Sequence, residues 1–437
     1  MADEVVRDLC GNVELPKMVK VEQQFNKACI EPEEIPEKIT ELLNRDVILS
    51  QFKPGMTVAI TCGSRGVSNI AIIIKSIVDV LKARGVKPFV FPAMGSHGGA
   101  TAEGQLEIVT GYGVTEEYLG CPVRATMETT QIGQVEDGRP VFIDKYAAEA
   151  DGIILVGRIK AHTQFVGPYE SGLMKMAVIG MGKQHGAETV HVDGFGKMSK
   201  NISAFGKVIL KNANVICGVG SIENAYDKTY KLVALTPDEI IDQEPKLLLE
   251  AKANMGHILI DNVDVLIVDE IGKDISGDGM DPNVTGTLPR ETGVPSGKDG
   301  SFPRLGNFKA KRVVVLGLTE KTHGNANGIG LADITTQRCI DQTINEMAYP
   351  NALTSNVLEM VKWPFWVQTD KLAIQVAAKT SVGADPNALK IIRIKNTKEI
   401  EEIEVSEALV EEVKQHPNMK IIGTLQDFAF DDKGNLF

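Results

Sequence analysis

Histidines that could move protons or bind a metal are concentrated in one glycine-containing stretch. Residues 157–191 hold three of the seven histidines, His162, His185 and His191. An imidazole exchanges protons near neutral pH and is a common ligand of transition metals. The spacing is not that of an HExxH motif and no CxxC pair is nearby, so a zinc site is poorly supported. Any metal site would have to draw its ligands from several segments.

A further histidine, His97, lies in the turn MGSHGGAT (94–101). Gly98 and Gly99 would allow backbone N–H groups to approach an anion closely, and the imidazole could donate or accept a proton there. A histidine that merely closes the turn is an equally simple explanation.

Two basic residues have settings that suit covalent chemistry or anion binding. Lys175 interrupts the apolar run LMKMAV (173–178), so its ammonium must either reach water or lose its charge through a lowered pKa or covalent modification. A desolvated lysine is a candidate for imine or amide formation. Arg65 precedes a predicted helix, whose N-terminal amides could share a carboxylate or phosphate with the guanidinium. An ordinary surface arginine is the alternative.

A loop of mixed charge, GKDISGDGMDPN (272–283), follows another apolar run. It lacks the residue register and the closing glutamate of an EF-hand, so calcium binding of that type is rejected. We predict a turn-forming loop that contacts the ligand, with Asn283 as a substrate-binding residue.

These residues must be positioned by the ends of strands. A helical pattern, SNIAIIIKSIVDVLKARG, separates the first two predicted strands, which gives a βαβ unit and a mostly parallel sheet. Ligands of such sheets bind at the carboxyl ends of the strands. The Val- and Ile-rich runs that predict strands lie at 56–60, 87–91, 152–157, 214–220, 263–269 and 312–318.

We therefore predict an α/β protein of two domains with mostly parallel sheets. The first domain, residues 1–255, would carry the cofactor and the catalytic residues. The second, residues 256–437, would contribute to the substrate cleft. The active site is expected in the cleft between the domains, at the carboxyl ends of the strands.

Composition restricts the class of protein further. The 437 residues have a formal net charge of −12, so a sequence-independent grip on nucleic acid or on an anionic membrane is not expected. The six cysteines form no CxxC pair, which is typical of a reducing compartment. The acidic N-terminus lacks the pattern of a signal peptide, and no run of about 18 apolar residues occurs. A cytoplasmic location is predicted.

The order and spacing of Arg65, His97, His162, Lys175 and His191 resemble the nickel-dependent lactate racemase family, most closely over residues 55–195. Members of that family use a nickel-pincer nucleotide, in which nickel is bound to a pyridinium dithio mononucleotide. The resemblance implies that Lys175 is joined to this cofactor and that His191 is the protein ligand of nickel. It implies that His97 and His162 are the acid/base pair. Arg65 would hold the substrate carboxylate.

The sequence departs from the family pattern beside several of these residues. Cys62 and Ser64 stand where the family has an acidic residue and a threonine, so Arg65 has different support. The segment VGPYESGLM (166–174) is longer than its family counterpart, which leaves His185 as an alternative metal ligand. The second carboxylate-binding lysine of the family has no clear counterpart. Candidates for that role are Lys273, Arg290 and Lys298.

The resemblance implies a racemase or epimerase of a 2-hydroxy acid that acts by reversible hydride transfer. The departures favour a substrate larger or more polar than lactate. A metal-dependent hydrolase that uses the same histidines and a non-catalytic binder of an anionic metabolite are the alternatives. Expected partners are the small-molecule substrate, the enzymes that assemble the cofactor and, in a homo-oligomer, further copies of the chain.

Overall fold

A computed structural model of the chain describes residues 2–64, 66–287 and 307–437. Contacts between residues divide the chain into two compact units. One unit, here called the N-terminal unit, is Asn26–Met255. The other, the C-terminal unit, contains residues 2–25, 256–287 and 307–437 of the described chain.

The N-terminal unit is built on a five-stranded sheet. The strands are ordered β3-β2-β6-β7-β8, with β8 antiparallel to β7 and the other neighbours parallel. A hairpin of β4 and β5 lies apart from this sheet. The strands are β2 (Thr57–Cys62), β3 (Lys87–Pro92), β4 (Thr129–Gln134), β5 (Pro140–Asp144), β6 (Gly152–Arg158), β7 (Val215–Glu223) and β8 (Thr229–Leu235).

Both faces of this sheet are buried. Along β6, Ile153 and Leu155 enter one apolar core, and Ile154 and Val156 enter the other, as the alternation of side chains in a strand requires. The helices of the unit are α2 (Ile35–Leu43), α3 (Asp46–Leu49), α4 (Ile70–Lys82), α5 (Ala102–Gly111), α6 (Glu116–Leu119), α7 (Lys145–Glu149), α8 (Leu173–Lys175), α9 (Lys183–His191), α10 (Met198–Asn212) and α11 (Pro237–Asn254).

The C-terminal unit contains an eight-stranded mixed sheet. Its order is β12-β11-β10-β9-β13-β14-β1-β15, parallel from β12 to β13 and antiparallel beyond. The strands are β1 (Met18–Gln23), β9 (Asn262–Ile271), β10 (Lys309–Leu318), β11 (Ile334–Thr336), β12 (Phe365–Val367), β13 (Ile391–Ile394), β14 (Glu402–Ser406) and β15 (Met419–Ile421). The helices are α1 (Ala2–Cys10), α12 (Pro282–Thr285), α13 (Gln337–Gln342), α14 (Asn345–Ser355), α15 (Asp370–Thr380) and α16 (Val410–Gln415).

The predicted fold class is confirmed: the protein is α/β with mostly parallel sheets. The six predicted strands correspond to β2, β3, β6, β7, β9 and β10. The contact units differ from the predicted domain ranges at the start of the chain, because β1 pairs with β14 and β15 of the C-terminal unit. Among the helices described, none is long and apolar enough to cross a membrane.

Candidate active site

Four of the predicted site residues follow strands of the five-stranded sheet. His97 lies just beyond the end of β3, and His162 lies just beyond the end of β6. Lys175 ends α8 and His191 ends α9, within the connection from β6 to β7. The parallel strands of one sheet end at the same edge, so the turn after β3 and the beginning of this connection belong to the edge at which α/β proteins bind ligands.

The turn that carries His97 depends on glycine. Gly95, Gly98 and Gly99 all have positive φ angles, between 60° and 66°. A Cβ atom at Gly98 would lie 2.6 Å from the backbone of Gly104, so a side chain there is excluded both by conformation and by space. The N–H of Gly95 donates to the carbonyl of Gly180 at 3.2 Å, which ties this turn to the segment after Lys175.

The imidazole of His97 is exposed and forms a hydrogen bond with a residue from another strand end. Its Nδ1 contacts the hydroxyl of Ser64, which follows β2. The carbonyl of Ser64 in turn accepts a hydrogen bond from the hydroxyl of Tyr112 at 2.5 Å. Because Nδ1 is engaged in this way, Nε2 is the atom we assign to proton exchange with a ligand.

His162 is half-buried and is oriented by its own loop. The Nδ1 atom accepts a hydrogen bond from the N–H of Gln164 at 3.0 Å, so in the neutral ring the proton is on Nε2. The ring packs on Phe165 with a centroid distance of 4.2 Å. This histidine therefore has a defined tautomer and a fixed ring plane.

A buried ion pair holds the main chain of His162. Its N–H donates to Oε2 of Glu170 at 2.8 Å, and Oε1 of the same carboxylate lies 2.6 Å from Nζ of Lys252. Glu170 and Lys252 are 1% and 5% exposed. Burial raises the pKa of Glu170, and the ammonium of Lys252 opposes that rise. Neither residue was singled out from the sequence, since their contact joins positions far apart in the chain.

Lys175 is a half-buried position in an otherwise buried apolar segment. It ends the short helix α8, and a π-helical turn (Met176–Gly180) follows directly. π-Helical turns are rare in proteins, and many of those that occur lie at functional sites. Glu244 of α11 is 1% exposed, and its carboxylate accepts a hydrogen bond from the N–H of Met174 at 3.0 Å. Burial raises the pKa of Glu244 to about 8.

His191 has the tautomer that a metal ligand needs. Nδ1 lies 2.7 Å from the carbonyl oxygen of Ala187, one helical turn earlier, so the N–H donates there and leaves the Nε2 lone pair available. Burial lowers the pKa of His191, the bond to Ala187 opposes this, and the positive charge of Lys175 lowers it further. The amine and the imidazole are therefore close enough for their charges to interact.

Phe195 connects two of the predicted histidines. Its ring centroid lies 5.7 Å from that of His191 in an edge-on arrangement and 6.3 Å from that of His162. The residue is half-buried. The sequence interpretation missed it, although its position in the glycine-bracketed turn DGFG shortly after His191 is a signal that could have been used.

The contacts of His185 distinguish it from His191. His185 is exposed, and its ring stacks on Phe142 of β5 at a centroid distance of 4.0 Å. Its Nδ1 lies 3.3 Å from the hydroxyl of Thr129 in β4. These contacts direct His185 to the hairpin, whereas His191 lies beside Phe195. The two histidines of α9 therefore have different surroundings.

The remaining predicted residues belong to the C-terminal unit or lie outside the described residues. Asn283 belongs to α12 of the C-terminal unit, where it is 8% exposed and its Nδ2 donates to Oδ1 of Asp281 at 2.9 Å. Lys273, a candidate for carboxylate binding, donates to the carbonyl of Gly277 at 2.6 Å. Arg65, Arg290 and Lys298 lie outside the described residues.

Within residues 2–64, 66–287 and 307–437, no group of three or more His, Cys, Asp or Glu side chains is arranged to hold a metal ion. A catalytic zinc site of the usual kind needs three protein ligands. A site with one protein ligand would need a cofactor to supply the other donors.

Comparisons with known proteins agree with the resemblance found in the sequence. Residues 12–203 match the family model of the lactate racemase N-terminal domain. Among solved structures, the chain is similar to that of the lactate racemase apoprotein from Thermoanaerobacterium thermosaccharolyticum, with a TM-score of 0.50 and 14% sequence identity over 87% of this chain and 99% of that chain. At this level of sequence identity, the structural similarity is evidence for the fold alone. No curated protein matches.

Proposed function

We propose that this chain, whose residues 12–203 match the lactate racemase N-terminal domain, racemises or epimerises a 2-hydroxy acid with a nickel-pincer nucleotide as cofactor. The match supports an isomerase at the level of the family. The substrate and the cofactor are our proposal. The observation that carries it is the bond from Nδ1 of His191 to Ala187, made beside the charge of Lys175.

The last residues of α8 and α9, Lys175 and His191, suit this cofactor. Nε2 of His191 is a neutral imidazole donor of the kind that nickel accepts, and its orientation is fixed by Ala187. Lys175 is the half-buried amine that would be joined to the nucleotide through a thioamide, a linkage that removes a charge from a largely apolar segment. When bound, the cofactor supplies a pyridinium ring that accepts and returns a hydride.

The two remaining histidines would handle the hydroxyl proton of the substrate. The hydrogen on the carbon next to the carboxylate of a 2-hydroxy acid is too weakly acidic for a side-chain base, so only the hydroxyl proton is left to the protein. Nε2 of His97 would take or give this proton for one enantiomer. His162 would do so for the other after its proton moves from Nε2 to Nδ1, which displaces the hydrogen bond from the N–H of Gln164. Two histidines are required because the enantiomers present their hydroxyl groups on opposite sides.

The substrate is proposed to be larger or more polar than lactate. Ser64, which replaces a threonine of the family, contacts His97 directly, so the surroundings of this proposed acid/base residue differ from the family pattern. Arg65 is proposed to hold the carboxylate, and Asn283 is proposed to contact the substrate. The enzymes that assemble the cofactor are the proposed protein partners.

Production with and without the cofactor-assembly enzymes tests the proposal. We expect racemisation only after co-production, about one nickel per chain, and an added nucleotide mass on the peptide that contains Lys175. His191→Gln should abolish nickel retention, because Nε2 is its protein ligand. His185→Gln is the matched control. His185 lies in the same helix, but its ring contacts the β4–β5 hairpin.

Two results would overturn the proposal. One is full activity of protein whose Lys175 peptide is unmodified. The other is loss of nickel in His185→Gln together with retention in His191→Gln, which would assign the metal to the other histidine of α9.

A further inference from the structure

Lys183 is a fully buried lysine in an unusual backbone conformation. It begins α9, the helix that ends with His191, and its side chain is 0% exposed. Its φ angle is +55°, in the left-handed region that residues other than glycine rarely adopt. Strain of this kind persists only where the surrounding contacts fix the conformation, and it is often found at functional sites.

Three acceptors surround the ammonium of Lys183. It donates to the carbonyl of Pro92, at the end of β3, and to Oε1 of Gln105 at 3.1 Å. It also lies 3.1 Å from Oδ2 of Asp144, which is 0% exposed. Burial lowers the pKa of Lys183, and the carboxylate of Asp144 opposes this. One side chain thus joins β3, α5, the end of β5 and the start of α9.

The contact with Lys183 determines which way the amide of Gln105 points. An ammonium can only donate, so the oxygen of this amide must face Lys183. The amide nitrogen is then directed at two carbonyls of the His97 turn: it donates to Gly95 at 2.8 Å and to His97 itself at 3.2 Å. Gln105 is 0% exposed, so none of these bonds can be exchanged for water without opening the structure.

We propose that Gln105 and Lys183 are positioning residues for His97. Lys183 orients the amide of Gln105, and the amide fixes the main chain of the His97 turn, so that the imidazole is presented beside Ser64. The inference rests on the proposed function only in assigning proton exchange to His97. The restraint on the turn is a property of the protein without cofactor and can be measured there.

Gln105→Glu is the sharpest test. The substitution keeps an oxygen for Lys183 but replaces the nitrogen that donates to Gly95 and His97 by an acceptor. In cofactor-free protein we expect backbone amides of residues 95–101 to exchange hydrogen about tenfold faster, because the two bonds that hold the turn are lost. In histidine-labelled protein, the ¹⁵N resonances of the His97 ring should shift. In loaded enzyme, kcat should fall about tenfold with little change in KM.

Gln23→Glu is the matched control. Gln23 is also 0% exposed, donates to the carbonyls of Ile400 and His257, and accepts from the N–H of Leu259, all in the C-terminal unit. The Gln23→Glu variant should leave hydrogen exchange at residues 95–101 and the ring resonances of His97 unchanged. Gln105→Met removes the same donors without adding a charge, and serves if Gln105→Glu does not fold.

The proposal is overturned if the variants of Gln105 leave exchange at 95–101 and the His97 ring unchanged, or if Gln23→Glu changes them equally. A protein that shows the expected exchange and resonance shifts but never racemises a 2-hydroxy acid would contradict the proposed function and not the positioning role.

Discussion

The carboxylate of Glu244 accepts a hydrogen bond from the N–H of Met174, the residue immediately before Lys175. Glu244 comes from α11, and a Cβ atom at Gly172 would lie 2.0 Å from its Oε1, so the glycine makes room for the carboxylate. Across the described chain no cation pairs with this carboxylate, and burial raises its pKa to about 8. The lysine proposed to carry the cofactor thus follows a turn that is held by a buried, largely protonated acid.

Glu244→Gln should change how stability depends on pH. The pKa of Glu244 is about 8 in the folded protein, against 4.5 for a glutamate in an unfolded chain, so its contribution is fully present below pH 4.5 and is lost as the pH rises through about 8. Glutamine cannot ionise and keeps an acceptor for Met174. The variant should therefore gain stability relative to wild type between pH 5 and pH 8, by up to about 5 kcal/mol.

Denaturant unfolding of both proteins across this pH range measures the difference. Glu250→Gln, on the same helix but in a partly exposed ion pair with Lys231, is the control and should show no comparable trend. A difference between Glu244→Gln and wild type that stays constant with pH would contradict the prediction.

Lys252→Met should destabilise the protein through the loop of His162. The substitution leaves the carboxylate of Glu170 buried without its cation, which typically costs about 3 kcal/mol. Thermal or denaturant unfolding measures the loss. Lys231→Met breaks the partly exposed pair with Glu250 and should cost less than about 1 kcal/mol. Equal losses in the two variants would contradict the prediction, because the buried pair would then stabilise the protein no more than the partly exposed pair.

The hydroxyl group of Ser64 should contribute to the rate of the reaction. Ser64→Ala removes the partner of Nδ1 of His97, a bond worth about 1 kcal/mol, so we expect kcat to fall about fivefold. Ser64→Thr keeps the hydroxyl and should retain most of the activity. Steady-state assays of the two variants give the comparison, and a threonine variant as impaired as the alanine variant would remove the hydrogen bond from the explanation.

His97→Gln and His162→Gln should each reduce racemisation by about a hundredfold or more, because every conversion needs both histidines, one to take the hydroxyl proton and the other to return a proton. The hydrogen on carbon should stay with the substrate: in D₂O, wild-type enzyme should form product that retains protium at that carbon. His416→Gln, in the C-terminal unit, is the control. Deuterium in the product would instead indicate proton abstraction.

The sequence was sufficient to predict the strands that are buried on both faces. Runs such as GIILVG in β6 are continuously apolar because both of their sides enter a core. Two of the strands that were missed, β1 and β4, carry a different pattern. β4 is partly exposed and mostly polar, and in β1 polar and apolar residues alternate over only a few positions. Such short patterns also occur in loops.

The candidate site residues are easiest to recognise in the sequence where residue types are rare. His162, Lys175 and His191 stand out because histidines are few and because a lysine interrupts an apolar run. Lys183 does not stand out, because the sequence GMGKQHG is typical of an exposed polar turn. Its burial becomes apparent only from its contacts with Gln105 and Asp144. Residues that act by supporting others are defined by tertiary contacts, which spacing along the chain does not encode.

The position of β1 determines how the C-terminal unit can be produced as a separate fragment. This strand lies between β14 and β15, so a fragment that begins at residue 256 would lack an interior strand of its own sheet and expose two unsatisfied edges to intermolecular pairing. A fragment in which residues 1–25 are fused ahead of residue 256 would keep the sheet continuous and is the better candidate for crystallisation or NMR.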